Sequence, residues 1–441
     1  MNGGTTPTAS AARDSASQSA TGRVTRRGLL SVGAGAAAVG LVAGAGGAHA
    51  MDRAASVSGQ GSGGGNGVVP FRGAHQAGII TPAQDRMHFV ALDVVTKDPN
   101  ELRAMLAEWT RAAERMVAGE QAAPGGVVGG GPYQAPADTG EAYDLDASGL
   151  TITIGYGPTL FDDRFGLGSR RPVALQPLPA FAGDQLEDAR SGGDLCIQAC
   201  ADDPQVAVHA VRNLIRLGFG TVAVRWSQLG FGRTSSTSRA QRTPRNLFGF
   251  KDGTSNIKAE DTEDLDRHVW VHPGDDPGRG WMAGGTYLVA RRIRMHIEVW
   301  DRTSLAEQQD VIGRDKAEGA PLGRKGEFDA PDFHRTGTDG QPAIPVRAHV
   351  RLAHESQLGG IRILRRGYNF TDGSDGLGHL DAGLFFVAFM RDPHHQFVPM
   401  QRALAAKDGL NEYVEHTGSA LFAVPPGLSA GLNWADQLFA P

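Results

Sequence analysis

Cysteine is almost absent from this 441-residue sequence, which has only Cys196 and Cys200, both in the segment LCIQAC. So few cysteines exclude a disulfide framework of the kind that holds small secreted domains together. If the segment is a strand, four steps of about 3.3 Å separate the two residues by roughly 13 Å, which is beyond the reach of a disulfide. The cysteines are therefore predicted to be core residues, with a shared metal ion as the alternative.

Charge is absent from residues 28–50, a run built mostly of Gly, Ala, Val and Leu without any Asp, Glu, Lys or Arg. Arg26 and Arg27 precede the run, and the small-x-small pattern AHA ends it. Together these features predict a twin-arginine export signal at residues 1–50, with the translocation machinery as a partner. The mature protein would then be periplasmic, extracellular or attached to the cell surface. An uncleaved membrane anchor is the alternative that the length permits.

A concentrated basic segment is also missing. The leader holds four of the 43 Lys and Arg residues and one of the 48 Asp and Glu residues, so the remaining 391 residues carry a net charge of −8. This acidic balance argues against nucleic acid as a partner. With 21% charged and 40% hydrophobic residues in the full sequence, the mature part is expected to be globular and large enough for one large domain or two.

The common motifs of nucleotide and hydrolytic sites are absent as well: there is no P-loop, dinucleotide fingerprint, HExxH or GxSxG. The glycine-rich segment 119–136 lacks the Lys-Ser/Thr of a phosphate loop and is predicted to be a mobile cover. Asp372, Asp375 and Asp381 do not have the spacing of a calcium loop, which favours solvated turns.

What the sequence does contain is a β-α-β-β-α-β order of apolar segments, which occurs twice after a Gly/Ser-rich linker at 51–67. In the first half, strands are predicted at 87–94, 150–157, 195–201 and 221–231, and helices at 100–119 and 203–218. In the second half, strands are predicted at 285–300, 361–370, 383–390 and 420–426, and helices at 304–319, 400–406 and, as an option, 410–416. The sequence thus predicts an α+β fold with two ferredoxin-like domains, 68–245 and 246–441.

The segment NLFGFKDGTSN, residues 246–256, places Asp252 between two glycines and close to two phenylalanines. Asp-Gly pairs are common in turns, so a surface turn is one interpretation. A carboxylate directed at a buried substrate is the other.

Two further segments contain residues that packing alone would not select. His349 in AHVRLAH lies beside apolar neighbours and is either a core histidine or a metal ligand, while Arg365 and Arg366 in ILRRGYNF are either surface charges or parts of a site. An imidazole, an acid and an arginine are together what a haem peroxidase requires. The imidazole binds iron, the acid moves a proton between the peroxide oxygens, and the arginine stabilises negative charge.

These motifs resemble those of the dye-decolourising (DyP-type) peroxidases. The resemblance runs from PFRGAHQAGI at residue 70 through GFKDGTSN, IEVWDRTSLAEQQDVIGRDKAEGAPLG and AHVRLA to RRGYNF, and it is strongest to the exported bacterial branch that includes peroxidases of iron-uptake operons. It implies a dimeric α+β barrel made of two ferredoxin-like halves, with non-covalent haem b in the C-terminal half. The CxxCH motif of covalent haem attachment is absent.

The resemblance also implies roles for individual residues. Asp252 matches the distal acid/base of the family's GxxDG motif, His349 the axial ligand of the haem iron, and Arg365 the distal arginine, with Arg366 as its less favoured neighbour. Haem contacts are implied for six further residues beside these motifs: Gly253, Thr254, Ser255, His354, Glu355 and Ser356.

Other members of the site stay open at this stage. The trio His354 to Ser356 departs from the Asn-Pro-Arg that relatives often carry there. The axial histidine should donate its second N–H to a carboxylate or carbonyl, for which Glu412 and Asp381 are candidates. Trp300 and Tyr368 are either electron relays to the surface or core aromatics.

The implied activity is the reduction of hydrogen peroxide through a ferryl intermediate, with one-electron oxidation of phenolic, dye-type or other bulky donors. The alternative is haem handling, in which iron is released from haem with the porphyrin intact, and iron-uptake proteins are partners. An exported barrel that binds another apolar ligand is a third interpretation. The sequence leaves the donor and the oligomeric state open, with a homo-oligomer as one alternative.

Overall fold

The computed structural model describes residues 67–277, 280–338 and 340–439. The predicted leader and nearly all of the predicted linker lie outside these residues, and both stay predictions. Within the described ranges, no helix combines the length and the apolar character needed to cross a membrane. The described residues belong to one compact unit.

The first half alternates strands with two helices in the predicted order. Its strands are β1 (Arg86–Val94), β2 (Thr151–Tyr156), β3 (Leu195–Ala201) and β4 (Val222–Arg233), and its helices are α1 (Pro99–Val117) and α2 (Pro204–Leu217). Both helices begin alike, because Asp98 and Asp203 accept N–H groups of the first turn and a proline takes the first helical position. Helix α1 buries Leu102, Leu106 and Trp109, at the helical spacing that predicted it.

The second half repeats this arrangement with more helical insertions. Its strands are β5 (Thr286–Met295), β6 (Leu364–Arg365), β7 (Tyr368–Ser374), β8 (Leu380–Met390) and β9 (Val414–Val424). Its helices are α3 (Thr262–His268), α4 (Ile297–Trp300), α5 (Leu305–Ile312), α6 (His349–Leu352), α7 (Phe397–Lys407) and α8 (Trp434–Phe439).

The strands of both halves form one antiparallel sheet that closes on itself. The first half has the strand order β2-β3-β1-β4 and the second β9-β5-β8-β7. Strand β4 pairs with β7, and β2 pairs with β9, which joins the two four-stranded sheets into a barrel. Strands β6 and β7 follow one another along the same edge of β8. This closed sheet confirms the predicted α+β fold with two ferredoxin-like halves.

The alternation of side chains along β8 separates the barrel core from an outer face. Phe385, Val387 and Phe389 are buried in the cluster that fills the barrel. Leu384 and Phe386 occupy the opposite face and are only half-buried. The outer face of β8 therefore presents apolar surface towards the helices of the second half.

The two cysteines behave as the strand interpretation predicts. Cys196 and Cys200 both lie on β3 with unbridged thiols and belong to the cluster inside the barrel. Burial raises the pKa of both thiols, which keeps them protonated and unreactive. The prediction that they are core residues is confirmed.

Four boundaries predicted in the second half are wrong. The strand predicted at 285–300 ends at Met295, and α4 follows it. The helix predicted at 304–319 stops at Ile312, because Gly313 adopts a left-handed conformation with φ of 89°. The strand predicted at 361–370 is split into β6 and β7, and the optional helix at 410–416 is a 3-10 turn followed by the start of β9.

Candidate active site

Glycines and buried aromatic residues shape the loop that carries Asp252. Gly249 and Gly253 both have φ of 79°, a conformation that residues with side chains rarely adopt. Phe248 and Phe250 are buried, so they anchor the loop from below. Asp252 does lie in a turn, but its carboxylate is directed into the protein and is only 15% exposed.

The partner of Asp252 is Arg365. Its Nη1 donates to Asp252 Oδ1 at 2.8 Å. Arg366, the next residue along the strand, points to the opposite face, where it is fully buried and donates to the Thr81 carbonyl and the Gln84 side chain. Neither arginine is a surface charge, and the strand alternation decides which of them meets the acid.

His349 begins the one-turn helix α6 and is held by a carboxylate. Its Nδ1 lies 2.6 Å from Oδ2 of Asp408, which follows α7 and is 3% exposed. Burial lowers the pKa of His349, but the Asp408 charge outweighs this effect and the pKa is raised overall. With the Nδ1–H donated to Asp408, the neutral imidazole presents Nε2 as an acceptor.

The sequence did not predict Asp408 as the hydrogen-bond acceptor of His349. The two predicted acceptors, Glu412 and Asp381, are wrong. Asp381 instead accepts a hydrogen bond from the buried Arg292 at 2.8 Å. Glu412 is exposed and pairs with Arg347 at 3.3 Å. In sequence, Asp408 looks like a turn residue because it precedes a glycine, and its Oδ1 does accept the N–H of Leu410. Its other oxygen holds the histidine.

The Asp252–Arg365 pair lies close enough to His349 for its charges to act on the imidazole. The charge of Asp252 raises the pKa of His349, and that of Arg365 lowers it. The His349 side chain is 32% exposed. Leu384, on the outer face of β8, packs against the cluster of Phe248 and Phe250 that supports the Asp252 loop. The imidazole, the carboxylate and the guanidinium therefore belong to one site with apolar surface beside it.

Family models match most of the chain. Residues 76–232 match the N-terminal domain of Dyp-type peroxidases, and residues 243–429 match the C-terminal domain. The chain belongs to the Dyp-type peroxidase family. The predicted family and the predicted enzyme class, peroxidase, are both confirmed.

Curated relatives of this Dyp-type peroxidase carry two different names. A dye-decolorizing peroxidase from Thermobifida fusca is 41% identical over 361 residues, covering 80% of this chain and 81% of the relative. A deferrochelatase from Escherichia coli K12 is 38% identical over 371 residues, covering 82% and 85%. Both predicted functional alternatives are therefore represented among the relatives.

Solved structures of the family have the same fold. DtpA from Streptomyces lividans, described as an oxyferrous/water mixed complex, is 41% identical with a TM-score of 0.76, covering 84% of this chain and 97% of that one. A DyP-type peroxidase from Cellulomonas bogoriensis is 39% identical with a TM-score of 0.76, covering 86% and 100%.

The flanking residues for which haem contacts were predicted are largely engaged with protein groups. The Thr254 hydroxyl donates to Glu327 at 3.2 Å, and the Ser255 carbonyl accepts from Arg362. His354 Nδ1 accepts the N–H of Ser356 at 3.1 Å, as a local cap. Glu355 pairs with Arg362 at 3.0 Å. Contacts of these residues and of Gly253 with a cofactor stay predictions.

Several charged residues near Asp252 were not predicted from the sequence. Arg314 is buried and donates to the carbonyls of Gly319 and Glu327 at 2.6 and 2.9 Å. Lys251 pairs with the Glu327 carboxylate at 2.6 Å. Their roles depend on loops from three parts of the chain, so no local spacing in the sequence indicates them.

The two predicted relay aromatics lie in different places. Trp300 packs on Phe248 with ring centroids 4.3 Å apart and donates to the carbonyl of that residue, directly beneath the Asp252 loop. Tyr368 is fully buried inside the barrel, and its hydroxyl donates to the Gln84 carbonyl at 3.0 Å. Both residues are core aromatics, and their roles as relays stay predictions.

Asp408 also lines a cavity of about 850 Å³. Leu352 and Ala403 contribute apolar surface to it, and Arg351 and Lys407 contribute positive charge.

Proposed function

We propose that this chain is an exported haem peroxidase that reduces hydrogen peroxide and oxidises organic donors by single electrons. The observation that carries the proposal is the pairing of Asp252 with Arg365 near an imidazole that Asp408 holds, close enough for both charges to act on that imidazole.

The residues fit haem b. His349 keeps Nε2 available to bind iron because its Nδ1–H is donated to Asp408. A carboxylate in this second position makes an iron-ligating imidazole more basic. Leu384, which packs against Phe248 and Phe250 under the Asp252 loop, provides apolar surface for a macrocycle. When bound through His349, haem would supply the iron at which peroxide is reduced.

Asp252 can perform the proton transfer that peroxide cleavage requires. A carboxylate in this position takes the proton from one peroxide oxygen and returns it to the oxygen that departs. The guanidinium of Arg365, 2.8 Å from the carboxylate, stabilises negative charge on both the bound peroxide and the leaving oxygen.

The proposal is tested by the visible spectrum of haem-loaded protein before and after one equivalent of hydrogen peroxide, with an organic donor added last. We expect a Soret band that changes with peroxide and returns when the donor is oxidised. Asp252→Ala should slow the reaction with peroxide by about 10²- to 10⁴-fold. Asp93→Ala, which breaks the Asp93–Arg225 pair of the first half, is the control and should leave the rate unchanged. A spectrum that does not respond to peroxide would refute the proposal.

Haem handling is a second candidate, because relatives 37–38% identical to this chain are named deferrochelatases. Incubation with haem and a reductant separates the two functions. Metal-free porphyrin with its characteristic fluorescence would favour release of iron, whereas intact haem together with donor oxidised at the expense of peroxide favours the peroxidase.

Export by the twin-arginine route belongs to the same proposal. Support comes from Arg26 and Arg27 ahead of an uncharged run and from the AHA pattern at its end. Replacing both arginines with lysine should leave the protein in the cytoplasm, as judged by fractionation with antibody detection. Under this proposal the partners are the translocation machinery, hydrogen peroxide, an organic donor and, if iron is the product, iron-uptake proteins.

A further inference from the structure

Asn256 connects the loop of the acid to the strand of the arginine. The residue is 4% exposed and lies four positions after Asp252. Its Oδ1 accepts the backbone N–H of Arg365 at 2.7 Å, and its Nδ2 donates to the Arg365 carbonyl at 2.8 Å. The same Nδ2 also donates to the Ser236 carbonyl at 3.0 Å.

The paired hydrogen bonds reproduce a sheet contact. In an antiparallel pair, two opposite residues exchange both N–H and C=O bonds, and the side-chain amide of Asn256 does this with the peptide groups of Arg365. Strand β6 has only two residues, with β8 along one edge, where Arg365 lies opposite Ala388. Asn256 thus takes the place of a partner strand on the other edge of Arg365.

The acid loop itself is tied to the same point. The Asn256 N–H donates to the Gly253 carbonyl at 3.1 Å, which closes the turn that follows Asp252. Gly253 packs so tightly that a Cβ there would lie 2.8 Å from the Cα of Ser235. Lys258 donates from Nζ to the Ser236 carbonyl at 2.8 Å and lies 3.4 Å from the Gly253 carbonyl. Any shift of Asn256 would therefore move loop and strand relative to each other.

We propose that Asn256 is a positioning residue for the peroxide reaction, because its amide fixes the Arg365 backbone relative to the Asp252 loop and so sets the contact between guanidinium and carboxylate. This inference rests on the proposed peroxidase function. If the proposed function is wrong, the wild-type protein will not react with peroxide. If only the role of Asn256 is wrong, the wild type will react and the Asn256 variants will react as fast.

The main test compares Asn256→Ser with Asn213→Ser. Asn213 is also fully buried and also anchors a loop, with Nδ2 donating to Thr139 and to the His209 carbonyl, but it lies in the first half. We expect N256S to keep its Soret band and to react with peroxide roughly ten- to a hundredfold more slowly, since small misplacements of catalytic groups have effects of this size. N213S should lose thermal stability but keep the wild-type rate. A rate for N256S within threefold of the wild type would overturn the inference.

A double-mutant cycle with Arg365→Leu shows whether Asn256 acts through the arginine. If Asn256 only positions Arg365, N256S should have no further effect on the peroxide rate in the R365L background. An equal loss in both backgrounds would mean that Asn256 acts in another way and would refute the inference. If N256S does not fold, Asn256→Thr, whose hydroxyl can keep one of the bonds, replaces it in the same cycle.

Two measurements that do not depend on turnover complete the test. Fluoride affinity of the ferric protein should fall in N256S as it does in R365L, because a donor to the bound anion is displaced or lost. Crystal structures of haem-loaded N256S and wild type should show a longer Arg365 Nη1 to Asp252 Oδ1 contact in the variant; this contact is 2.8 Å in the present structure. An unchanged contact together with an unchanged fluoride affinity would refute the positioning role.

Discussion

Each half of the barrel contains a histidine bound to an aspartate, and the two pairs differ in ways that separate structure from function. In the first half, His209 Nε2 lies 2.8 Å from Asp138 Oδ1. In the second half, His349 Nδ1 lies 2.6 Å from Asp408 Oδ2. The short distances and the residue types are nearly the same, so these features alone do not identify a site.

Exposure distinguishes the two pairs. The His209 and Asp138 side chains are 5% and 1% exposed, whereas His349 is 32% exposed beside an equally buried Asp408. Asp138 also accepts the N–H groups of Ala122 and Gly140. The first pair therefore anchors the glycine-rich segment, which was predicted to be a mobile cover, to helix α2. The second pair engages only Nδ1 of a partly exposed imidazole, so Nε2 stays available to a ligand.

The causes of the pKa shifts of Asp138 and His349 also differ between the two pairs. Burial raises the pKa of Asp138, but hydrogen bonds, first from the Ala122 N–H and then from His209, outweigh burial and lower it overall. For His349, the charge of Asp252 adds to the effect of Asp408, whereas the charge of Arg365 opposes it. A His–Asp pair becomes a candidate site when its imidazole is partly exposed and other charged groups lie close enough to act on it.

The strongest test of this comparison removes each imidazole in turn. His349→Ala should abolish or grossly shift the Soret band and slow the reaction with peroxide by more than about a hundredfold, the upper limit for residues that only support a ligand. His209→Ala should keep the haem spectrum but destabilise the protein by about 1–3 kcal/mol, because the buried Asp138 carboxylate loses its hydrogen bond from the imidazole. Absorption spectra and thermal unfolding measure both effects. A normal spectrum in H349A would contradict the ligand assignment.

A smaller effect is expected when each carboxylate is neutralised. Asp408→Asn keeps the size of the side chain but weakens the acceptor for the Nδ1–H of His349, so iron affinity or peroxide reactivity should fall by about 10- to 100-fold. The reduction potential of the iron should rise, because a less basic imidazole donates less charge. Asp138→Asn should change stability alone, as potentiometry and unfolding would show. Equal reduction potentials in D408N and the wild type would argue against the proposal that Asp408 makes the His349 imidazole more basic.

Sequence alone predicts the part of this site that local pattern encodes. The glycines around Asp252 and the alternation along RRGY place an acid in a tight turn and bring one of two arginines to each face of the strand. The two βαββαβ orders also predict the halves of the barrel. The resemblance to known peroxidases then supplies the role of His349, which local pattern leaves open between core and ligand.

The partners of these residues could not be predicted because they come from distant loops. Asp408 follows α7, 59 positions from His349, and has the local sequence of a turn. Asn256 meets Arg365 across 109 positions. Both contacts depend on how β8 and the helices pack, and nothing in their immediate sequence distinguishes Asp408 from Asp381 as an acceptor.

The last difference between the halves is a half-buried cation, Lys258, whose charge interacts with that of Arg365. Burial and then the charge of Arg365 lower the pKa of Lys258 to about 8, against the opposing charges of Asp261, Glu260 and Glu327. Below pH 8 its ammonium donates to the Ser236 carbonyl, and above pH 8 this charge is lost. The unfolded lysine titrates near pH 10.4, so the unfolded state binds more protons between these values, and stability from this group rises with pH across that window.

Removing Lys258 should therefore change two pH profiles by small amounts. The wild-type rate with peroxide should change by about twofold through a midpoint near pH 8, as Arg365 loses a neighbouring charge, and this step should be absent in Lys258→Met. The rise in stability between pH 8 and about 10.4 should also disappear in this variant. Lys97→Met, at an exposed position of the first half, is the matched control and should keep both profiles. If the step in the peroxide rate near pH 8 persisted in K258M, another residue close to Arg365 would have to be the titrating group. The prediction that Lys258 influences the reaction would then be wrong.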